Sequence, residues 1–223
     1  LSTESEKFKR SQDFGRAVAA AVYAWSKTDN YSVTNTGYVL PTGFGIYIPT
    51  PPAFGTPILP FVSLARPLVQ EDGTGIAPPP PFAYSETPGS DFYKMVKDVY
   101  DVSKTLTTEQ RNMALFWNDA GINIGYTPQG HIMNVATQAI EQSGVDLGTA
   151  AEGYAKAGIG IREAQLTCFR SKFTYLQMRP VSYIRKVIDP TWSPLITTPA
   201  HPEYPAAHAY VTSTTLRALS WVL

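Results

Sequence analysis

Apolar side chains recur along most of this chain at intervals of three and four, the spacing that places them on one face of a helix. Between residues 4 and 28, Phe8, Val18, Val22 and Trp25 fall at helix-compatible intervals and predict an amphipathic helix. Thr3 and Glu6 have capping-box spacing at its start, and Asp29-Asn30 ends it. Phe92, Met95, Val96, Val99 and Tyr100 form a second stripe, ending near Lys104. Thr107 or Thr108 caps a short helix through Asn118, with Met113, Phe116 and Trp117 expected to face the core. Thr127-Pro128 pairs an N-cap residue with a proline at the first helical position, and Gly144 stops the helix predicted over 128–143. Asp146 caps a long helix predicted to reach Met178, with Ala150, Tyr154, Ala157, Ile161, Ala164 and Cys168 on its packing side. Small residues along it, including Gly158 and Gly160, suit close helix–helix contact. No stretch shows strand alternation, so the expected fold is an all-α bundle of five or six helices.

The stretch 31–88 breaks the pattern. Proline, glycine, threonine and aromatic residues dominate, with Pro49-Thr-Pro-Pro52 and the run Pro78–Pro81. Long irregular segments inside compact domains are uncommon and are functional or disordered when they occur. Tyr38, Phe44, Tyr47, Phe54, Phe61, Phe82 and Tyr84 supply apolar anchors, so an ordered wrap over the helices is expected, with a lid over a site as the alternative.

Composition narrows the function classes. The 18 basic and 18 acidic residues of the 223 cancel, and without a basic cluster the chain lacks the electropositive face a nucleic-acid binder needs. A hydrophobic content of 43% is adequate for a core. No apolar run approaches the roughly 20 residues required to span a bilayer. Cys168 is the single cysteine, which rules out an intrachain disulfide or a cysteine-based zinc cluster.

The chemistry gathers between Lys172 and His208. Lys172 and Arg179 are seven positions apart, so on one helix both cations would project from the same face. Pro180 cannot continue that helix, which puts Arg179 at or near its end. A further helix is predicted to open just after Pro205, leaving the N–H groups around Ala206 and Ala207 unpaired at the positive end of its dipole. Such an end suits an anion, and His208 would stand on its rim.

Lys172, six intervening residues, Arg179-Pro180 and then Pro205-Ala-Ala-His208 resemble the first two of three motifs shared by vanadium-dependent haloperoxidases and type 2 phosphatidic acid phosphatases. The flanking Tyr183–Trp192 and Thr198–Pro205 stretches are similar to the bacterial secreted haloperoxidase-like branch. The resemblance implies a helical bundle of the haloperoxidase type and an extracellular or periplasmic location. Vanadate, or phosphate in its place, would be bound by Lys172, Arg179 and the backbone of Ala206 and Ala207. His208 would be the acid/base group, with Lys172 assisting catalysis. The implied reaction is oxidation of a halide by hydrogen peroxide. The alternatives are an acid phosphatase acting on a phosphate ester, and a non-catalytic oxyanion-binding or structural helical module.

Two departures qualify this picture. Ala206 and Ala207 stand where the family turn often has serine and glycine, so a hydroxyl contact is lost while the backbone donors remain. The third motif, whose histidine binds vanadium directly or attacks phosphorus, is not found before Leu223. The expectation is therefore one helical domain, part of a larger bundle: a helix over 1–30, a wrap over 31–88 and site-bearing helices over 89–223. No direct metal ligand is expected within it. A missing C-terminal half or another subunit would complete the site, and this chain alone would be inactive.

Other polar residues carry two readings each. His131, with Asn134 a turn further on, either lines the pocket near Lys172 and bonds the anion or His208, or is a buried histidine satisfied by a carbonyl. Glu203 either orients His208, pairs with an arginine, or is an ordinary solvated carboxylate. His201 is expected to be structural. Trp117-Asn118-Asp119 either furnish pocket contacts or are a core tryptophan and a helix-end carboxylate.

Overall fold

The computed structural model describes residues 5–31, 35–69, 77–119 and 125–223. Among these described residues seven α-helices follow one another: α1 (Glu6–Ser26), α2 (Asp91–Lys104), α3 (Thr108–Phe116), α4 (Pro128–Ser143), α5 (Leu147–Tyr175), α6 (Pro180–Val187) and α7 (Ala207–Leu219). A 3-10 turn spans Val62–Leu64. Among the described residues there is no strand, only an isolated antiparallel bridge between Ile46 and Gln177. The fold is all-α.

Side chains close the helix starts where the local chemistry calls for them. Thr107 and Gln110 form a reciprocal capping box on α3. Thr127 Oγ1 accepts from Gly130 N at 3.1 Å with Pro128 at the first helical position, and Asp146 Oδ1 accepts from Thr149 N at 2.9 Å. Gly144, at φ 65°, supplies the left-handed residue that ends α4. On α1 the capping oxygen belongs to Ser5, which accepts from Phe8 N, while Thr3 lies outside the described residues.

Three expectations about the elements are corrected. α5 ends at Tyr175 rather than Met178. Leu176 turns left-handed at φ 49°, and its carbonyl accepts from Tyr47 N while Met178 N donates to Gly45 O. The wrapping segment therefore takes the hydrogen bonds that another helical turn would have made. On α3, Met113, Phe116 and Trp117 are exposed instead of facing a core. In the wrap, Tyr47 is fully buried and Tyr38 packs edge-on against Phe61 and Phe173, but Phe44, Phe54 and Phe82 stay exposed.

α5 is the axis of the molecule. Ala157, Ile161 and Ala164 pack against Ile132, Ala136 and Ile140 of α4 and against Val211 and Leu219 of α7. Each large aliphatic side chain buried here contributes about 1.5–3 kcal/mol. Glycines set the closeness of approach: a Cβ on Gly160 would lie 3.3 Å from Thr214 Cγ2, and one on Gly153 would lie 3.2 Å from Ile140 Cδ1. A second cluster joins Phe92 and Val96 of α2 to Val181, Tyr183 and Ile184 of α6, with Trp192 beside them. Its polar ends are satisfied, Tyr183 Oη donating to Ser85 O and Trp192 Nε1 to Ser103 Oγ. α1 buries none of its residues. Its end is held by Arg66, which donates to Trp25 O and lies over the Trp25 ring.

Candidate oxyanion site

The last turn of α5, the start of α6 and the start of α7 converge on one cavity of about 390 Å³, lined by Lys172, Arg179, His201, Glu203, Ala206, Ala207 and His208. Lys172 is only 1% exposed. Its Nζ donates to Pro202 O at 2.8 Å and to Glu203 O at 2.7 Å. An ammonium has three donors, so one remains. Burial foremost, and the nearby Arg179 charge next, lower its pKa to about 8, while Cys168 and Glu203 act the other way.

Arg179 lies just beyond the end of α5, at the N-cap of α6, so the shared face that one continuous helix would give it with Lys172 does not form. It is the residue before Pro180, extended at φ −72° and ψ 144°, the conformation a following proline imposes. The two cations meet because the 176–178 turn folds Arg179 back beside the helix end. Arg179 Nε donates to His201 O at 2.6 Å, one terminal nitrogen donates to Glu203 Oε2 at 2.6 Å, and the other reaches Pro199 O and His201 Nδ1. Four of its five N–H groups are engaged, leaving one without a partner among the described residues. Glu203 thus pairs with Arg179, not with His208.

His201 is part of this wall. Its Nδ1 accepts from Arg179 at 2.7 Å, so the proton resides on Nε2, and the 3.1 Å approach of Nδ1 to Pro202 O is not a hydrogen bond. Burial first, then the Arg179 and Lys172 charges, depress its pKa to about 3, which keeps the imidazole neutral. Cys168, in the cavity wall, remains a thiol because burial raises its pKa to about 11. The loop that carries these carbonyls is pinned from outside: Glu203 N donates to Gln177 O and Ile58 N to Ala200 O.

α7 opens at Ala206, which provides no side-chain cap. Its first N–H groups therefore have no side-chain partner, and Ala206, Ala207 and His208 line the cavity together with Lys172 and Arg179. His208, half exposed at 52% of its side chain, stands in the first turn. Its Nε2 lies 2.6 Å from Asp119 Oδ1, and the other oxygen of Asp119 lies 3.0 Å from His131 Nδ1.

Asp119 is the residue whose role sequence reasoning leaves open, since the 117–119 stretch is weighed for pocket contacts but a helix-end position is preferred for Asp119. Read as a helix-end residue, it is a buried carboxylate bridging two imidazoles. Its place in the connection after α3 offered no periodic signal. His131 does not line the Lys172 cavity; it stands in a neighbouring one of about 510 Å³, with Asn134, and reaches His208 only through Asp119. Trp117, expected in the core, stacks on the His131 ring.

No protein-family model matches the chain, and no curated protein matches it. Among solved structures, it is similar to the crystal structure described as the first bacterial vanadium-dependent iodoperoxidase, with a TM-score of 0.84 and 32% sequence identity over 96% of this chain. The fold and the two motifs together place the chain in the vanadium haloperoxidase superfamily. It spans about half of that iodoperoxidase, 53% of its length.

Proposed function

We propose that this chain carries the oxyanion-binding half of a vanadate-dependent haloperoxidase site. The observation that carries the reading is the convergence of Lys172, Arg179, His208 and the uncapped start of α7 on one cavity. The donor set fits vanadate: an ammonium N–H, a guanidinium N–H and helix-end N–H groups all donate, as the oxygens of a tetrahedral oxyanion require. Lys172, Arg179 and the backbone of Ala206 and Ala207 would hold those oxygens. The nitrogen that coordinates the metal itself would come from sequence beyond these residues or from another subunit, in keeping with the half-length match to the iodoperoxidase.

Bound vanadate supplies Lewis acidity that activates hydrogen peroxide toward a halide. The overall change consumes halide, peroxide and one proton and yields hypohalous acid and water. Lys172 and Arg179 offset the anion's charge, and the carbonyls of Pro202 and Glu203 hold the Lys172 ammonium in place. Asp119 keeps the proton of His208 on Nε2, leaving Nδ1 to accept a proton from peroxide and return it. The apolar wall of Ile58, Leu59, Phe169 and Val211 limits water around these charges. Among the described residues no helix is long and apolar enough to cross a membrane, and an exported location is part of this proposal.

The test is halide oxidation by the complete protein with and without added vanadate. Vanadate-dependent oxidation is expected. Hydrolysis of a phosphate ester without halide oxidation would assign the site to a phosphatase, and neither activity would leave a non-catalytic oxyanion-binding module.

A further inference from the structure

One carboxylate serves two imidazoles here, and the second lies outside the oxyanion cavity. Asp119 sits in a connection with neither helix nor strand to orient it. His208, half exposed, has little packing to hold its own ring. His131, by contrast, is fixed from several sides. It stands in the first turn of α4, its N–H bonded to Thr127 O. Its ring is stacked on Trp117 at 4.9 Å and 22° and on Tyr126 at 5.9 Å and 21°, with Phe116 edge-on at 5.7 Å.

We infer that His131 is a positioning residue for His208, acting through Asp119; the inference rests on the acid/base role proposed above for His208. Each carboxylate oxygen takes one imidazole, Oδ2 at 3.0 Å from His131 Nδ1 and Oδ1 at 2.6 Å from His208 Nε2. Turning the carboxylate away from His208 would also break its bond to His131. With the Asp119 side chain only 7% exposed, water cannot readily replace either donor. The rigidity of α4 and its aromatic clamp is thereby passed to a ring on α7. The consequence for His208, which lines the cavity, is a set tautomer, with the proton on Nε2 and the lone pair on Nδ1.

Two substitutions separate the donor from the packing. His131→Phe keeps a flat ring in the Trp117–Tyr126 clamp and removes the donor. His131→Asn keeps a donor near the position of Nδ1 and removes the ring. The sequence has three histidines, so selective ¹⁵N labelling of the imidazoles in the complete protein yields a small set of assignable signals. In His131→Phe the His208 signals should move from the Nε2–H form to a mixture of tautomers. Its kcat for vanadate-dependent halide oxidation should fall roughly tenfold, with KM for halide nearly unchanged. His131→Asn should restore most of both. Native tautomers and native kcat in His131→Phe would overturn the inference, as would a folded His131→Asn no better than His131→Phe.

Should His131→Phe fail to fold, Asp119→Asn carries the test, because an amide has a single oxygen and cannot accept from both imidazoles. At least one ring should then change tautomer; two unchanged rings would overturn the inference. Absence of halide oxidation in the native protein, with the tautomer responses intact, would sink the proposed function and leave the positioning role standing.

Discussion

Asp119 Oδ1 and His208 Nε2 lie 2.6 Å apart although 89 residues separate them in the chain. A buried carboxylate that orients an imidazole acts through that imidazole, so its loss should add little once the imidazole is gone. Asp119→Ala should lower kcat by about 10–100-fold with little change in KM. The double variant with His208→Ala should be no slower than His208→Ala alone. Multiplicative losses in steady-state kinetics would mean that the two residues work independently.

Lys172 brings a buried positive charge to the cavity with one donor to spare. Lys172→Met keeps the aliphatic stem and deletes the charge. Hydrogen bonds to charged groups contribute about 1.5–3 kcal/mol. Vanadate or phosphate should therefore bind roughly 10–100-fold more weakly. Titration calorimetry reads this directly, and an unchanged Kd would remove Lys172 from the anion site.

The lowered pKa of Lys172, about 8, gives anion binding a definite slope with pH. The ammonium is charged below that value and loses its proton above it, so affinity should fall as pH rises from 8 toward 10. Stability should move the other way. The unfolded chain keeps the proton up to the ordinary value of 10.5, so between about pH 8 and 10.5 the unfolded state binds more protons and this group's contribution to stability rises with pH. Both slopes should flatten in Lys172→Met, as followed by calorimetry and by thermal melting across that range.

Glu203 already neutralises part of Arg179, at 2.6 Å. Its carboxylate lines the cavity and repels an incoming anion. Glu203→Gln keeps the shape and removes the charge, and Arg179 retains its contacts to the carbonyls of His201 and Pro199. Oxyanion affinity should tighten by roughly fivefold, the effect of about 1 kcal/mol of relieved repulsion. Weaker binding would show that the ion pair is needed to aim Arg179.

The α5 contacts allow a stability test remote from the chemistry. Gly153→Val would force side-chain atoms toward Ile140 and Leu219, costing about 1–3 kcal/mol. Gly158, also on α5, has open space around it, so Gly158→Ala should stabilise the helix by up to about 1 kcal/mol. Opposite shifts in Tm are expected, and a Gly153→Val protein that melts at the native temperature would contradict the close α4–α5–α7 packing.

Much of this protein is legible in its sequence. Thr107, Thr127-Pro128, Gly144 and Asp146 mark helix ends correctly because a cap satisfies backbone groups only a few residues away. Lys172, Arg179 and His208 were legible as a set from their spacing and resemblance to a known motif, and they do share one cavity. Periodicity was less reliable about burial. It identified Met113 and Phe116 of α3 and Val18 and Val22 of α1 as apolar positions, yet all of them are exposed. A stripe shows which residues share a face, not whether another element covers it.

Local chemistry along the chain therefore decided the helices, their caps and the cationic residues of the site, because the groups involved are neighbours in sequence. Tertiary structure alone decided the rest: that α5 yields at Tyr175 to hydrogen bonds from the wrap, that Lys172 is held by the carbonyls of Pro202 and Glu203, and that Asp119 joins His131 to His208. These pairings join segments far apart in sequence. They exist only once the packing of α4, α5 and α7 has brought the partners within hydrogen-bonding distance, and no spacing along the chain encodes that distance.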